Sequence, residues 1–455
     1  MNRRHFLQSS LAATTLATFP RVLRSADSSG GRKFRTVLIG CGWWGNNILR
    51  EAMASGACEI VGLCDVDARQ LELTLKNVAA GTGETPKTYK DYRDLLDKSK
   101  ADIAIIATPD HWHALPTIAA VRAGAHVFVE KPIGHTIGEG RAMVNAARAA
   151  NRVVQVGTHR RISRHNISAR DFIRSGKLGE IGMVRCFVAG GGSGPETPLP
   201  TLDVPKELDW DLWCGPAPLR PFNGGDPRDP KVGGGNRGIH PRGFRNYLDY
   251  ANGTIADWGV HWFDQVLWIT EEKYPTHVYS TGGRPIAGAP VLTPREQTTD
   301  APDHQLATYR FGRFDMQWEN RQFSGNNVSK GENIGCYFHG TKGILHLGWR
   351  QGWTFYPVNP KEDPITEAAH LNMPDAQNIK ELWADMLQAI RTGTKPVADI
   401  GDVHLSTNLS LLPMISMKVG RSLQWDGAKE HIVGDDAANR LLRRDYRRGY
   451  EYPQA

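Results

Sequence analysis

Cysteine is scarce, with six in 455 residues at positions 41, 58, 64, 186, 214 and 336. None forms a C-x-x-C pair or a Cys/His cluster at zinc spacing, which excludes a disulfide-framed miniature domain and a structural zinc site. Long apolar runs are missing too. No segment reaches the ~18 residues of a membrane span, so no stable span is expected. The 48 glycines and 27 prolines, about a sixth of the chain, fall short of the ~25–30% typical of disordered polymers. A composition 40% apolar and 23% charged leaves a globular protein of two or three domains. A net charge of +7 is too dilute to imply a nucleic-acid partner. The first 26 residues contain no acid at all but carry Arg3, Arg4, Arg21 and Arg24. A second basic cluster, Arg440, Arg443, Arg444, Arg447 and Arg448, faces only Asp445 and Glu451. Between these ends the chain is close to neutral.

The acid-free N-terminus reads as an address. Asn2-Arg3-Arg4-His5-Phe6-Leu7-Gln8 precedes a mildly apolar run, Ser9 to Phe19, too short to cross a bilayer. Adjacent arginines followed by Phe-Leu match a twin-arginine export signal over residues 1–26. Thr15-Leu16-Ala17 and the Ser25-Ala26 region are alternative cleavage sites. The expectation is an exported protein, periplasmic or otherwise extracytoplasmic, handled by the twin-arginine export machinery. Buried free thiols fit a protein that folds in the reducing cytoplasm before export.

What is present in the first half is a dinucleotide pattern. A β-branched run, Arg35 to Ile39, ends in Gly40-Cys41-Gly42-Trp43-Trp44-Gly45. A helical stretch (46–55) and a second strand (59–64) follow, and Asp65 lies 20 residues past Gly45. In G-x-G-x-x-G, Gly40 makes the tight turn, Gly42 lets backbone approach a pyrophosphate, and Gly45 lets helix pack on strand. Asp65 suits a ribose 2′-hydroxyl and would repel a 2′-phosphate, favouring NAD over NADP. The pattern continues with a helix from 89 to 96, a strand from 103 to 107, and a helix from 114 to 123. A strand from 126 to 129, a helix from 138 to 150 and a strand from 153 to 156 complete it. Thr108-Pro109-Asp110-His111-Trp112-His113 and Glu130-Lys131-Pro132 both sit at strand ends, where open α/β sheets bind ligands. No carboxylate or cysteine completes a metal site around the His-x-His, so no metal is expected.

These residues resemble the Gfo/Idh/MocA family of oxidoreductases, specifically through residue 160 and more loosely beyond. The resemblance implies an NAD contacted by Gly40, Gly42, Trp43, Trp44, Gly45, Asp65, Thr108, Pro109, His113, Glu130 and Lys131, and export beyond the cytoplasmic NAD pool implies that it is tightly held. It implies an α/β Rossmann domain, a mostly parallel doubly wound sheet, over 33–157. An α+β domain with a large, mainly antiparallel open sheet would follow over 158–455 for substrate binding and oligomerisation. It gives Lys131 the task of stabilising alkoxide charge, and it implies a homodimer or homotetramer.

The second half opens with a strand from 183 to 189 and a Gly/Pro-rich passage from 190 to 243. Leu208-Asp209-Trp210-Asp211-Leu212-Trp213 within it would either line a sugar cleft or pack against the core. Asp257 and His261 are four apart, so on an α-helix they share a face, an acid orienting an imidazole for proton removal. The segment resembles the family's Asp-x-Gly-x-His-x-x-Asp motif, completing Lys131, Asp257 and His261 as the catalytic set, with Asp264 read as structural. Strand-like runs at 277–280, 305–311, 314–320, 336–339 and 344–347 and a helix from 379 to 390 follow. The expected activity is NAD(P)-dependent oxidoreduction of a hydroxyl or ketone on a small carbohydrate, polyol or glycoside. Two alternatives stay open: an NAD-dependent glycoside hydrolase working by transient oxidation, elimination, hydration and re-reduction, and a non-catalytic sugar-binding relative.

Overall fold

The computed structural model describes residues 32–191, 194–225, 238–326, 331–371 and 377–454. The export signal read at 1–26 and part of the 190–243 passage lie outside these residues. The first sheet contains β1 (Phe34–Ile39), β2 (Cys58–Cys64), β3 (Lys87–Tyr89), β4 (Ile103–Ile106), β5 (His126–Val129) and β6 (Val154–Val156). Its order is β3-β2-β1-β4-β5-β6 and every pairing is parallel. β4 is buried along its whole length, as an unbroken Ile-Ala-Ile-Ile run in the middle of a two-sided sheet requires. The strand order reverses between β1 and β4, and the ligand crevice opens there beyond the strands' carboxyl ends.

Helices α1 (Trp43–Ala54), α2 (Ala68–Thr82), α3 (Tyr92–Ser99), α4 (Ala114–Arg122) and α5 (Ile137–Ala149) cover the two faces. α5 opens on a capping box in which Thr136 accepts from the Glu139 backbone while Glu139 reaches back. α2 and β3 escaped sequence reading because the buried face of α2 holds Arg69 and Thr74 beside Val78, which disguises its apolar spacing. The first core also recruits α9 (Ile379–Thr392) through Leu382, Trp383, Met386 and Leu387. A helix from far along the chain thus packs onto the core of the first sheet.

Two further helices, α6 (Arg164–Arg174) and α7 (Trp210–Cys214), precede α8 (Val260–Thr270) and the remainder of the second domain. Its ten-stranded sheet has at its centre β7 (Ile181–Ala189), β12 (Asp315–Arg321), β11 (His304–Arg310) and β13 (Ile334–Gly340). Only the β7–β12 pair is parallel. Met316, Trp318 and Asn320 of β12 point into the core, while Asp315, Gln317 and Glu319 alternate outward. The inner face packs against α8 and α10 (Ile400–Val419). On the outer face Met183, Arg185, Tyr337, His339, Ile344 and Tyr356 line a shallow pocket.

The Trp-rich passage resolves to packing rather than to a cleft wall. Trp210 and Trp213 stack with ring centroids 4.6 Å apart and are buried with Phe222, Phe244, Tyr247 and Tyr250 in a third core. All six cysteines are buried and free. No helix among the described residues is long and apolar enough to cross a membrane. The basic C-terminal segment straps the halves together. Arg444 pairs with Glu139 at 2.8 Å and donates to the His111 carbonyl, Tyr446 donates to Glu139, and Arg447 pairs with Asp211 at 2.6 Å.

Candidate active site

The glycine loop is shaped by clearances. Gly40 has φ +95°, and a Cβ there would lie 2.6 Å from the Ala107 backbone. A Cβ on Gly45 would strike the Gly40 carbonyl oxygen, so helix and loop touch backbone to backbone. Gly42 faces open space, within 4 Å of nothing. It caps α1 with no side-chain hydrogen bond and no acid follows in the first turn, which leaves the helix N–H groups free for an anion. Asp65 accepts from the Cys41 N–H at 2.7 Å and the Asp67 N–H at 2.9 Å. Burial pushes its carboxyl up to about 6 despite these bonds. Each oxygen keeps a lone pair for a ribose hydroxyl. Trp43 is 58% exposed at the lip, with the Arg242 guanidinium 5.1 Å from its ring centroid. Trp44 turns inward and hydrogen-bonds Glu130, whose carboxyl is raised by burial. A free helix terminus, an open glycine cradle and an acid at the end of β2 fit a nicotinamide dinucleotide.

Beyond β5, Lys131 reaches across the domain junction. Its Nζ donates to the Asp257 carboxylate at 2.7 Å and the Asp257 carbonyl at 2.8 Å, leaving a third N–H unused by this pair. Arg245 also approaches Asp257 Oδ1, at 3.3 Å. Although burial opposes it, Lys131 and Arg245 hold this carboxyl down at about 2. Asp257 thus serves Lys131 rather than orienting His261. Residues Ile255–Gly259 form a π-helical turn, and α8 begins only at Val260. His261 is 6% exposed, its Nδ1 buried without a partner. Burial, then the charges of Lys131 and Arg160, push its pKa well below the usual imidazole value, so the ring is neutral. The His261 ring lies 5.4 Å from His159 and 5.2 Å from Trp349 between centroids.

His113 sits between the Pro132 carbonyl (2.7 Å) and the Thr108 carbonyl (2.8 Å), tying the strand-end loops together. His111 is bonded to the Trp213 carbonyl at 3.0 Å. Pro109 precedes the turn Asp110–Trp112, and the Thr108 hydroxyl is buried without a partner beside the glycine loop. Asp264 takes two bonds from Arg161, at 2.8 and 2.7 Å, and one from Ser406.

Sequence reading missed Asp110, His159, Arg160, Arg245 and Trp349. Asp110 is buried near Arg245, Lys131 and Asp257, and burial pushes its carboxyl up to about 7. Its place in the strand-end motif was a usable signal, as was the His159-Arg160-Arg161 run just past β6. Arg245 and Trp349 had none, since long-range folding alone delivers them.

A Rossmann domain whose strand-end lysine meets an acid and a neutral histidine from a second, sheet-based domain is the architecture of a dinucleotide-dependent oxidoreductase. Residues 34–158 match the model of an oxidoreductase family with an NAD-binding Rossmann fold, and 192–281 with 313–452 match that family's C-terminal alpha/beta domain. The chain belongs to the Gfo/Idh/MocA oxidoreductase family. It is 29% identical over 259 residues to the rhizopine catabolism protein MocA of Rhizobium meliloti, covering 56% of this chain and 63% of that one. It is 30% identical over 174 residues to a glycosyl hydrolase family 109 protein of Parabacteroides distasonis, covering 37% of each. The chain thus matches less than two thirds of these relatives' lengths. The aldose-aldose oxidoreductase of Caulobacter crescentus shares the fold with a TM-score of 0.62 at 18% identity, over 86% of this chain and all of that one.

Proposed function

We propose that this protein oxidises a hydroxyl, or in reverse reduces a ketone, on a sugar, polyol or glycoside, using a tightly retained NAD. The observation that carries the reading is the Lys131–Asp257 pair at 2.7 Å, at the carboxyl end of β5 and beside a neutral His261. His261, uncharged, is ready to accept the hydroxyl proton. Lys131, held by Asp257, directs its remaining N–H at the oxygen on which negative charge develops. Asp257, ionised, keeps that ammonium in place. When bound, the nicotinamide dinucleotide accepts or donates the hydride. Asp65, engaged with the glycine-loop backbone, favours NAD over NADP.

A second reading is redox-neutral glycoside hydrolysis, supported by the family 109 relatives. One experiment separates them: purified protein, without added NAD, is incubated with sugars and with aryl glycosides. Oxidised sugar alongside reduced nucleotide supports the first. Released aglycone with no net oxidation supports the second and removes the first. Residues 1–26 we assign to twin-arginine export, which sits well with a cofactor bound during cytoplasmic folding. The outer sheet face with Met183, Tyr337, Ile344 and Tyr356 is our assignment for pairing with a second copy, checked by light scattering of wild type and Ile344→Lys.

A further inference from the structure

Four arginines among the described residues are buried as whole residues: Arg69, Arg160, Arg161 and Arg220. Three hold carboxylates from the chain itself. Arg69 pairs with Asp67, Arg161 with Asp264, and Arg220 with both Asp249 and Asp300. Arg160 holds none. Its Nε, Nη1 and Nη2 are all buried without a hydrogen-bond partner, and its guanidinium lies flat on Trp349, 3.6 Å from the ring centroid. A buried guanidinium with five N–H donors and no acceptor is costly unless something supplies an anion. Glu332 acts on it through its charge, with no hydrogen bond to it among the described residues, and accepts instead from the Trp349 N–H at 2.9 Å and the Arg350 N–H at 2.6 Å. Burial lowers the Arg160 pKa to about 9, with Glu332 opposing and Arg350 reinforcing, so the group is still cationic at neutral pH.

Arg160 is also next to the chemistry. Trp349 contacts Arg160 on its face and His261 with its ring 5.2 Å away, so one indole touches both the cation and the candidate base. A planar guanidinium stacked on an aromatic face meets an in-plane, two-oxygen partner best through its edge, which is carboxylate geometry. The other cations nearby, Lys131 and Arg245, share the single carboxylate of Asp257, so together with Arg160 these groups leave an excess of positive charge for an anionic substrate to balance.

We propose that Arg160 receives a carboxylate carried by the substrate, so that the substrate class is a sugar acid, an aldonate or uronate, rather than a neutral sugar. This rests on the oxidoreductase reading for the rest of the molecule's reaction but is tested by binding alone. Isothermal titration of the purified, cofactor-retaining protein is run against a panel of aldoses, the matching aldonates and uronates, uronate methyl esters, and sugar phosphates. At least one acid should bind tenfold or more tighter than its neutral aldose and its methyl ester. Arg160→Gln should erase that preference, Arg160→Lys should keep part of it, and Lys131→Met should leave it standing. Should Arg160→Gln fail to fold, the acid-against-ester comparison in wild type still decides. Equal affinities for acid and ester, a preference for the phosphates, or a preference that survives in folded Arg160→Gln overturns the proposal. Acid binding without oxidation of any panel member would remove the oxidoreductase reading and uphold this one. Equal kcat/KM on acid and neutral sugar would uphold that reading and overturn this one.

Discussion

The glycine loop is shaped mainly by backbone clearances, and the domain junction beside it is filled with titratable side chains. In the first, Gly40, Gly42 and Gly45 set distances by having no Cβ, and the free N–H groups of α1 carry the polarity. At the junction, Lys131 and Asp110 from the first domain and Asp257, Arg245, His261 and Arg160 from the second crowd into a low-dielectric space, where the outcome depends on which charge faces which. A site built from clearances fails sterically, and a site built from charges fails electrostatically. The difference tells which substitutions are informative in each.

The largest effect should come from a buried ion pair within the second domain. Removing one member of Arg161–Asp264 by Arg161→Met leaves a buried carboxylate and should cost about 3–5 kcal/mol. Urea unfolding measures it, and a loss below 1 kcal/mol would mean that the Asp264 carboxylate finds other donors or water. Next is Lys131→Met, expected to lower kcat by about 10²–10³, the range for losing one donor to a developing oxyanion. Its Tm should hardly move, so a fold that loosens along with the activity would count against a catalytic role. Gly45→Ala breaks the clearance rule of the glycine loop. Pushing a methyl against the Gly40 carbonyl should cost about 1–3 kcal/mol. Retained nucleotide, read by mass spectrometry of the purified protein, should fall with it, while sugar-acid binding stays.

The smallest effect concerns Asp110. Its folded pKa of about 7 lies above the unfolded carboxylate value, so between about pH 4 and 7 the folded state holds the extra proton. Its contribution to stability is full below pH 4 and is lost as pH rises through 7. Asp110→Asn should therefore flatten the stability profile over that window and raise the Tm at pH 8 by about 1 °C for each kcal/mol gained. An unchanged slope would place Asp110 in contact with water. Asp257 runs the other way: with a folded pKa near 2, its contribution is present above pH 4 and lost as pH falls towards 2.

Much of the first half was legible because its signals are local. The glycine spacing, the apolar run 103–106 and the acid 20 residues past Gly45 all follow from neighbours in sequence. The second half hid its site because its determinants are long-range. The spacing of Asp257 and His261 read as an acid orienting an imidazole, and nothing near them in sequence announces that Lys131, 126 positions away, takes the acid instead. Trp210 and Trp213 have the composition of a sugar platform, yet burial against Tyr247 and Tyr250 makes them core. The adjacent arginines at 160 and 161 look alike in sequence. Only the fold gives one of them Asp264 and leaves the other with an indole.

The C-terminal strap adds a matter of timing. Glu139 and Arg444 are separated by 305 positions, and closing so long a loop is cheap in free energy, since each doubling of length adds only about 0.6 kcal/mol. During synthesis, however, the arginine arrives late. At ~5–20 residues per second, on the order of 15–60 s pass between making the acid and making its partner. Throughout that interval Glu139 has to stay hydrated, and α5 cannot be clamped to the rest of the molecule. A nascent chain cut short before Arg444 would keep a carboxylate at the base of its first domain with no cation to cover it, a chemical mark of incompleteness.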